Sequence, residues 1–174
     1  MTDFTLVLGG ARSGKSRLAE ARILAAARTG APQYIATAQP FDDEMAARIA
    51  AHRDQRAGAG WHTTEAPLTL AATLEQIPPG LPVLIDCLTL WLSNHLLAGS
   101  DIPAEAARLS RAIAARDGPL IAVANEVGLG IVPDNALARR FRDEAGRLNQ
   151  QLAAQAGRVI LVTAGLPLAL KGSL

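Results

Sequence analysis

An α/β fold, with a mostly parallel sheet and helices on both faces, is what this 174-residue sequence predicts. Two observations carry the prediction. Apolar runs of strand length recur at Phe4–Leu8, Gln33–Thr37, Pro82–Cys87, Pro119–Ala124 and Arg158–Ala164, and Ala-rich segments with helical spacing lie between most of them. The second is the stretch Gly9-Gly10-Ala11-Arg12-Ser13-Gly14-Lys15-Ser16, set between the first strand run and a helix-type segment. That segment, Ser16 to Arg28, holds neither Pro nor Gly.

The glycine-rich stretch fits G-x-x-x-x-G-K-[ST] at every fixed position, and strand, loop, helix is the context the motif needs. Gly9 and Gly14 let the backbone turn so that successive N–H groups converge on phosphate oxygens. The helix that follows adds unpaired N–H groups and the positive end of its dipole. Lys15 can reach the β- and γ-phosphates, and the Ser16 hydroxyl can ligate Mg²⁺. The chain therefore reads as a phosphate-loop NTPase-type protein that binds a nucleoside triphosphate.

Composition narrows the class. The chain is expected to be one domain, 1–174, with the glycines at Gly58 and Gly60 and the run Pro78-Pro79-Gly80 as loops inside it. Hydrophobic residues make up 49%, yet no uninterrupted apolar stretch approaches the span of a membrane helix. The start enters a strand without the pattern of a secretory signal, and the single cysteine, Cys87, excludes an intrachain disulfide and a Cys-rich zinc site. A cytoplasmic location is the expectation. Seventeen Lys+Arg against sixteen Asp+Glu, with no basic block and 3% aromatics, argue against a nucleic-acid surface and for a small-molecule substrate.

In such sheets ligands bind beyond the carboxyl ends of the strands. That rule selects the glycine loop, Ala36-Thr37-Ala38-Gln39, Asp86-Cys87, Asn125–Gly130 and Ala164-Gly165. Asp86 ends an apolar run, where a phosphate-loop enzyme places the carboxylate that holds Mg²⁺, so Ser16 and Asp86 form the expected metal side. The competing role for Asp86 is a cap on the segment beginning Leu88-Thr89-Leu90. Cys87 reads as a small buried side chain. Glu126, among the glycines of Asn125–Gly130, either binds substrate or belongs to a turn. This stretch is not the Asn-Lys-x-Asp of a regulatory GTPase. A long helix is expected from Asp134 to Ala156, with Asp134 as N-cap, Gly157 as stop and a stripe of Leu137, Phe141, Ala145, Leu148 and Leu152. Its arginines Arg139, Arg140, Arg142 and Arg147 read as a solvated face, with one of them reaching the nucleotide as the alternative.

Between the second and third strand runs, Asp42-Asp43-Glu44 places negative charge at a helix start, and the helix runs on through Met45, Arg48, Ile49 and His52 towards Arg56. Met45, Ile49 and His52 share one face, so spacing alone reads His52 as a partly buried helix histidine. Arg48, Arg53 and Arg56 beside it point the other way, because arginines next to a histidine can stabilise a phosphoryl group. His62 and His95 lack such neighbours, and no His pair has metal-ligand spacing.

With these residues in view, the chain resembles the bifunctional adenosylcobinamide kinase / adenosylcobinamide-phosphate guanylyltransferase family of cobalamin biosynthesis, nearly end to end. The resemblance is carried by the Gly9–Ser16 loop, Tyr34-Ile-Ala-Thr-Ala38, Asp42-Asp-Glu-Met-Ala-Ala-Arg-Ile49 leading to His52-Arg-Asp54, and Trp61 with Thr64-Glu65. Asp86-Cys-Leu-Thr-Leu-Trp91, Asn125-Glu-Val-Gly128 and Gly130-Ile-Val-Pro133 complete it. The phosphate loop marks a large superfamily, whereas Ala-Arg-Ile-x-x-His combined with Asn-Glu-Val-Gly-x-Gly-Ile-Val-Pro is far more specific.

The resemblance implies two reactions. A γ-phosphoryl group passes from ATP or GTP to the aminopropanol hydroxyl of adenosylcobinamide, and GMP then passes from GTP to that phosphate, releasing pyrophosphate. It further implies a GMP–histidine intermediate at His52, with Lys15 also catalytic. The nucleotide contacts it implies are Gly9, Gly10, Ala11, Arg12, Ser13, Gly14, Lys15, Ser16, Thr37, Ala38, Arg53, Asp54, Gln55, Arg56, Glu65 and Asp86. Finally it implies a homotrimer, with the His52 helix at a subunit boundary. An ordinary imidazole, with a pKa near 6.5, is mostly neutral and nucleophilic at pH 7. The alternatives are a kinase-only enzyme acting on another small alcohol, with His52 structural, and a nucleotide-binding switch without transfer chemistry.

Overall fold

The computed structural model describes residues 3–27, 30–40, 50, 58 and 60–174. In chain order the elements are β1 (Phe4–Gly9), α1 (Lys15–Ala26), β2 (Gln33–Ala36), β3 (His62–Glu65), α2 (Leu70–Gln76) and β4 (Val83–Asp86). They continue with α3 (Leu88–Leu97), α4 (Ile102–Ala114), β5 (Leu120–Asn125), α5 (Ala136–Gln155), β6 (Arg158–Thr163) and β7 (Leu166–Lys171). The strands form one sheet in the order β3-β2-β4-β5-β1-β6-β7. Every pairing is parallel except β6 with β7. The mostly parallel sheet expected from the sequence is therefore present.

Successive residues of a strand face opposite ways, and the core divides accordingly. Leu6, Leu8, Val83, Ile85, Leu120, Ala122 and Ala124 point to one face and pack with Leu70, Leu74, Trp91, Leu92, Leu109, Leu148 and Leu152 from α2, α3, α4 and α5. Val7, Leu84, Ile121, Val123 and Ile160 point to the other face, where Ala19 and Ile23 of α1 cover them. Helices thus lie on both faces. A strand buried on both faces needs a continuous apolar run, which is why β1, β4 and β5 were readable from the sequence.

Several local expectations shift. The long helix is capped by Asn135 rather than Asp134: Asn135 is extended and its Oδ1 accepts from Ala138 N at 2.8 Å. Of its stripe, Ala145, Leu148 and Leu152 are buried, Phe141 is half-buried, and Leu137 in the first turn stays 54% exposed. Among its arginines, Arg140 and Arg147 are exposed, as a solvated face requires, whereas Arg139 and Arg142 are half-buried. Arg139 bonds Pro133 O, Arg142 pairs with Asp143, and Arg147 pairs with Glu144. Two strands had no counterpart among the expected runs. β3 and β7 are the sheet edges, and an edge strand does not need two apolar faces. No described helix is long and apolar enough to cross a membrane.

Candidate active site

The glycine loop leaves the carboxyl end of β1 and enters α1 at Lys15. Gly9 is locked in the sheet, in register with Asn125 on one side and Val162 on the other. A Cβ on Gly9 would lie 2.5 Å from Ser13 Oγ and 2.6 Å from Val162 O, so only glycine fits there. Gly14 adopts φ 94° as the residue before the helix, the conformation that glycine supplies without strain. Arg12, also in the left-handed region at φ 55°, forms the outer turn of the loop. The loop is closed by Ser13 N donating to Gly10 O and by Gly165 N, from the β6–β7 turn, donating to Ser13 O at 2.9 Å. Lys15 Nζ donates to Gly10 O at 3.0 Å and so lies across the loop.

Helix α1 has no side-chain cap and no acidic residue in its first turn. Its amides and dipole therefore face the loop without competition from a protein carboxylate, as an anion site requires. Ser16, in that first turn, is half-buried.

Asp86 lies at the end of β4, level in register with Ala36, which in turn pairs with Glu65. The Tyr34 hydroxyl donates to Asp86 Oδ2 at 2.8 Å. The helix after it is capped at Cys87 without a side-chain bond, so the capping role for Asp86 is not realised. Cys87 is buried, as expected, and its thiol is pushed up to about 11, chiefly by burial and then by the charge of Asp86. It is no nucleophile at neutral pH. Thr37 is fully buried, and its hydroxyl donates to Cys87 O at 2.7 Å while accepting from Cys87 N at 2.8 Å. Its side chain fixes β2 against β4, leaving Ala38, half-buried, and Glu65, exposed, on the open edge.

Asn125 N donates to Thr89 Oγ1 at 2.7 Å, behind the loop. Glu126 Oε1 accepts from Gly128 N at 2.7 Å, so this carboxylate closes a local turn. His62 is exposed on β3, and His95 is buried in α3, its pKa lowered mainly by burial. His52, Arg53, Asp54, Gln55 and Arg56, with the helix expected from Asp42 through Met45, Arg48 and Ile49, lie outside the described residues. Asp86, Ala38 and Glu65 thus lie at the carboxyl ends of β4, β2 and β3, on the same edge of the sheet as the Gly9–Ser16 loop at the end of β1. Tyr34 and Gly165 support these positions through bonds to Asp86 and Ser13; the sequence places Tyr34 in a motif and Gly165 at a strand end, but spacing points to neither bond.

A parallel strand, a phosphate loop and a helix on the carboxyl edge of such a sheet define a protein of the phosphate-loop NTPase type. Solved structures share the fold. The "ATPase Domain of G40P" superposes with a TM-score of 0.53 at 12% identity, covering 92% of this chain and 69% of that one. The Pyrococcus horikoshii OT3 protein of project PH0250 gives a TM-score of 0.52 at 11% identity, covering 98% and 87%. Sequence comparison is narrower. The family described as cobinamide kinase / cobinamide phosphate guanyltransferase matches residues 5–170, and the chain belongs to that family. It is 51% identical, over 96% of both chains, to the bifunctional adenosylcobalamin biosynthesis protein CobP of Pseudomonas aeruginosa. It is 46% identical to the protein of that description called CobU in Salmonella typhimurium, over 95% of this chain and 98% of that one.

Proposed function

We propose that the protein phosphorylates adenosylcobinamide with ATP or GTP and then transfers GMP from GTP to adenosylcobinamide phosphate, giving adenosylcobinamide-GDP and pyrophosphate. The observation that carries this reading is a complete phosphate loop on the sheet's carboxyl edge in a chain matching the family from residue 5 to residue 170. Both reactions need a bound triphosphate, and the loop amides, the α1 N-terminus and Lys15 supply its charge complement.

In the kinase step the loop orients the γ-phosphoryl group towards the acceptor hydroxyl, whose oxygen forms the new P–O bond as the bond to the β-phosphate oxygen breaks. In the second step His52 attacks the α-phosphorus: a P–N bond forms and pyrophosphate leaves. The cobinamide phosphate oxygen then attacks that phosphorus, and the P–N bond breaks. The acceptor anion thereby meets a phosphoramidate rather than a polyanionic triphosphate. Arg53 and Arg56, with Asp54, Gln55, Ala38 and Glu65, complete the nucleotide contacts in this reading.

Mg²⁺ fits the donor set. Ser16 and Asp86 offer oxygen, and among the described residues no group of three or more His, Cys, Asp or Glu builds a dedicated metal cage. Mg²⁺ keeps waters and substrate oxygens and needs only one or two protein ligands. When bound it supplies positive charge beside the phosphates. A homotrimer in the cytoplasm belongs to the same reading. The deciding experiment incubates the enzyme with GTP, Mg²⁺ and adenosylcobinamide and reads products by mass. Adenosylcobinamide-GDP is expected. Product stopping at the monophosphate would favour a kinase-only enzyme, and hydrolysis without acceptor dependence a switch protein.

A further inference from the structure

An amide in the middle of a helix, nearly sealed from solvent, must find partners within the protein. Asn94 of α3 is 3% exposed, and its Nδ2 donates to two carbonyls, Thr37 O at 2.8 Å and Pro67 O at 3.0 Å. One residue on, His95 Nε2 lies 3.2 Å from Leu68 O and Nδ1 lies 2.9 Å from Ser100 Oγ. A carbonyl only accepts, so Nε2 carries the proton and the Ser100 hydroxyl donates to Nδ1.

These carbonyls belong to the segments that leave β2 and β3 at their carboxyl ends. Thr37 follows Ala36 directly and precedes Ala38, and Pro67 lies just beyond Glu65. Thr37 is tied from its other side as well, through its hydroxyl to Cys87 and through its N–H to Asp86 O at 3.2 Å. One buried amide therefore joins the ends of two adjacent strands, β3 and β2, where Glu65 and Ala38 are presented, and reaches β4 only through Thr37. The phosphate loop lies beyond β5 and is built by β1, α1 and the β6–β7 turn, whereas the Asn94 amide donates to Thr37 O and Pro67 O.

We propose that Asn94 is a positioning residue for the nucleotide: it touches no substrate, and it holds the Ala38 and Glu65 segments in register for the part of the nucleotide beyond the phosphates. The inference rests on the reading that nucleotide contacts extend from the loop along this edge. A purely structural residue, when changed, would weaken every ligand alike. Asn94 should instead separate the nucleotide from its phosphates.

The test measures binding of Mg-GTP and of Mg-tripolyphosphate by calorimetry, for wild type, Asn94→Asp and Asn94→Leu, with urea midpoints recorded alongside. Asp has the same shape but turns oxygen lone pairs toward both carbonyls, and Leu keeps the bulk and the helix without any donor. Both variants should bind GTP about tenfold or more weakly, because ordering the Ala38 and Glu65 segments then costs binding energy that the Asn94 bonds had already supplied. Tripolyphosphate should stay within about twofold of wild type, as distant independent sites do. Unchanged GTP affinity, a parallel loss of both ligands, or failure of both variants to fold would overturn the proposal. Wild-type enzyme that binds tripolyphosphate as tightly as GTP would overturn the underlying reading of Ala38 and Glu65 as well, and that arm uses no variant.

Discussion

Gly9 and Gly10 are neighbours in one loop, yet replacing Gly9 by alanine should destabilise the fold and replacing Gly10 should not. At Gly9 the new methyl would meet Ser13 Oγ at 2.5 Å and Val162 O at 2.6 Å. Ser13 can rotate, but Val162 is held in the β1–β6 ladder opposite Gly9, so the methyl can be accommodated only by pushing strands apart or lifting the loop. Overpacking of this kind costs about 1–3 kcal/mol. For a chain of this size that is a fall in melting temperature of about 2–4 °C per kcal/mol. Lifting Ser13 also misplaces the amides that follow it, and displacement near a reacting group costs about 100-fold in turnover. At Gly10 a Cβ would meet nothing within 4 Å, and its φ is not positive. Gly10→Ala should therefore leave stability within about 0.5 kcal/mol of wild type. Thermal unfolding of both variants decides it. Equal stabilities, or a Gly10 variant less stable than the Gly9 variant, would refute the packing argument.

The same geometry supports further expectations. Lys15→Ala should lower both the kinase and the guanylyl-transfer rates by roughly 10²–10³, since one loop serves both triphosphates, and a folded variant with wild-type guanylyl transfer would require a second nucleotide site. Asp86→Asn should move the Mg²⁺ midpoint of both reactions upward while Tyr34 keeps an oxygen to donate to; an unmoved midpoint would remove Asp86 from the metal side. Cys87 ionises at about 11 in the fold against 9.0 ordinarily, so between those values the unfolded chain has already released the proton that the folded chain still holds. Stability should therefore fall as pH rises through that window, by about 2–3 kcal/mol at most, and Cys87→Ala should flatten the fall in urea titrations. An identical slope in the variant would show that Cys87 is not the group responsible.

The sequence exposed those parts of the fold where one physical demand dominates. The strands buried on both faces were visible because their environment demands unbroken apolar residues, and the loop because phosphate binding restricts each fixed position. β3 was hidden because His62-Thr63-Thr64-Glu65 is polar and lies at the sheet edge, where only its threonines signal a strand. β7 was hidden by Pro167, which argues against a strand except at an edge, and by the Ala164-Gly165 turn, which is also a hairpin turn. Within the site, Asp86 could be placed from its position at a strand end. The Tyr34 hydroxyl, the closed hydroxyl of Thr37 and the Asn94 amide could not, since each depends on a partner more than twenty residues away. Glu126 was readable either as a ligand or as a turn residue, and its bond to Gly128 N realises the turn.

The most direct test of the proposed two-step chemistry is covalent labelling at His52. Enzyme incubated with Mg²⁺ and GTP labelled on the α-phosphate should acquire label, whereas label on the γ-phosphate should not be retained. The adduct should survive alkali, break in mild acid and be reversed by pyrophosphate, as a phosphoramidate does. His52→Asn should abolish labelling while phosphorylation of adenosylcobinamide continues, because the kinase step needs no nucleophilic histidine. A His52→Asn variant that still takes up α-label, or wild-type enzyme that forms no acid-labile adduct, would contradict a nucleotidyl–histidine route and leave the kinase step alone.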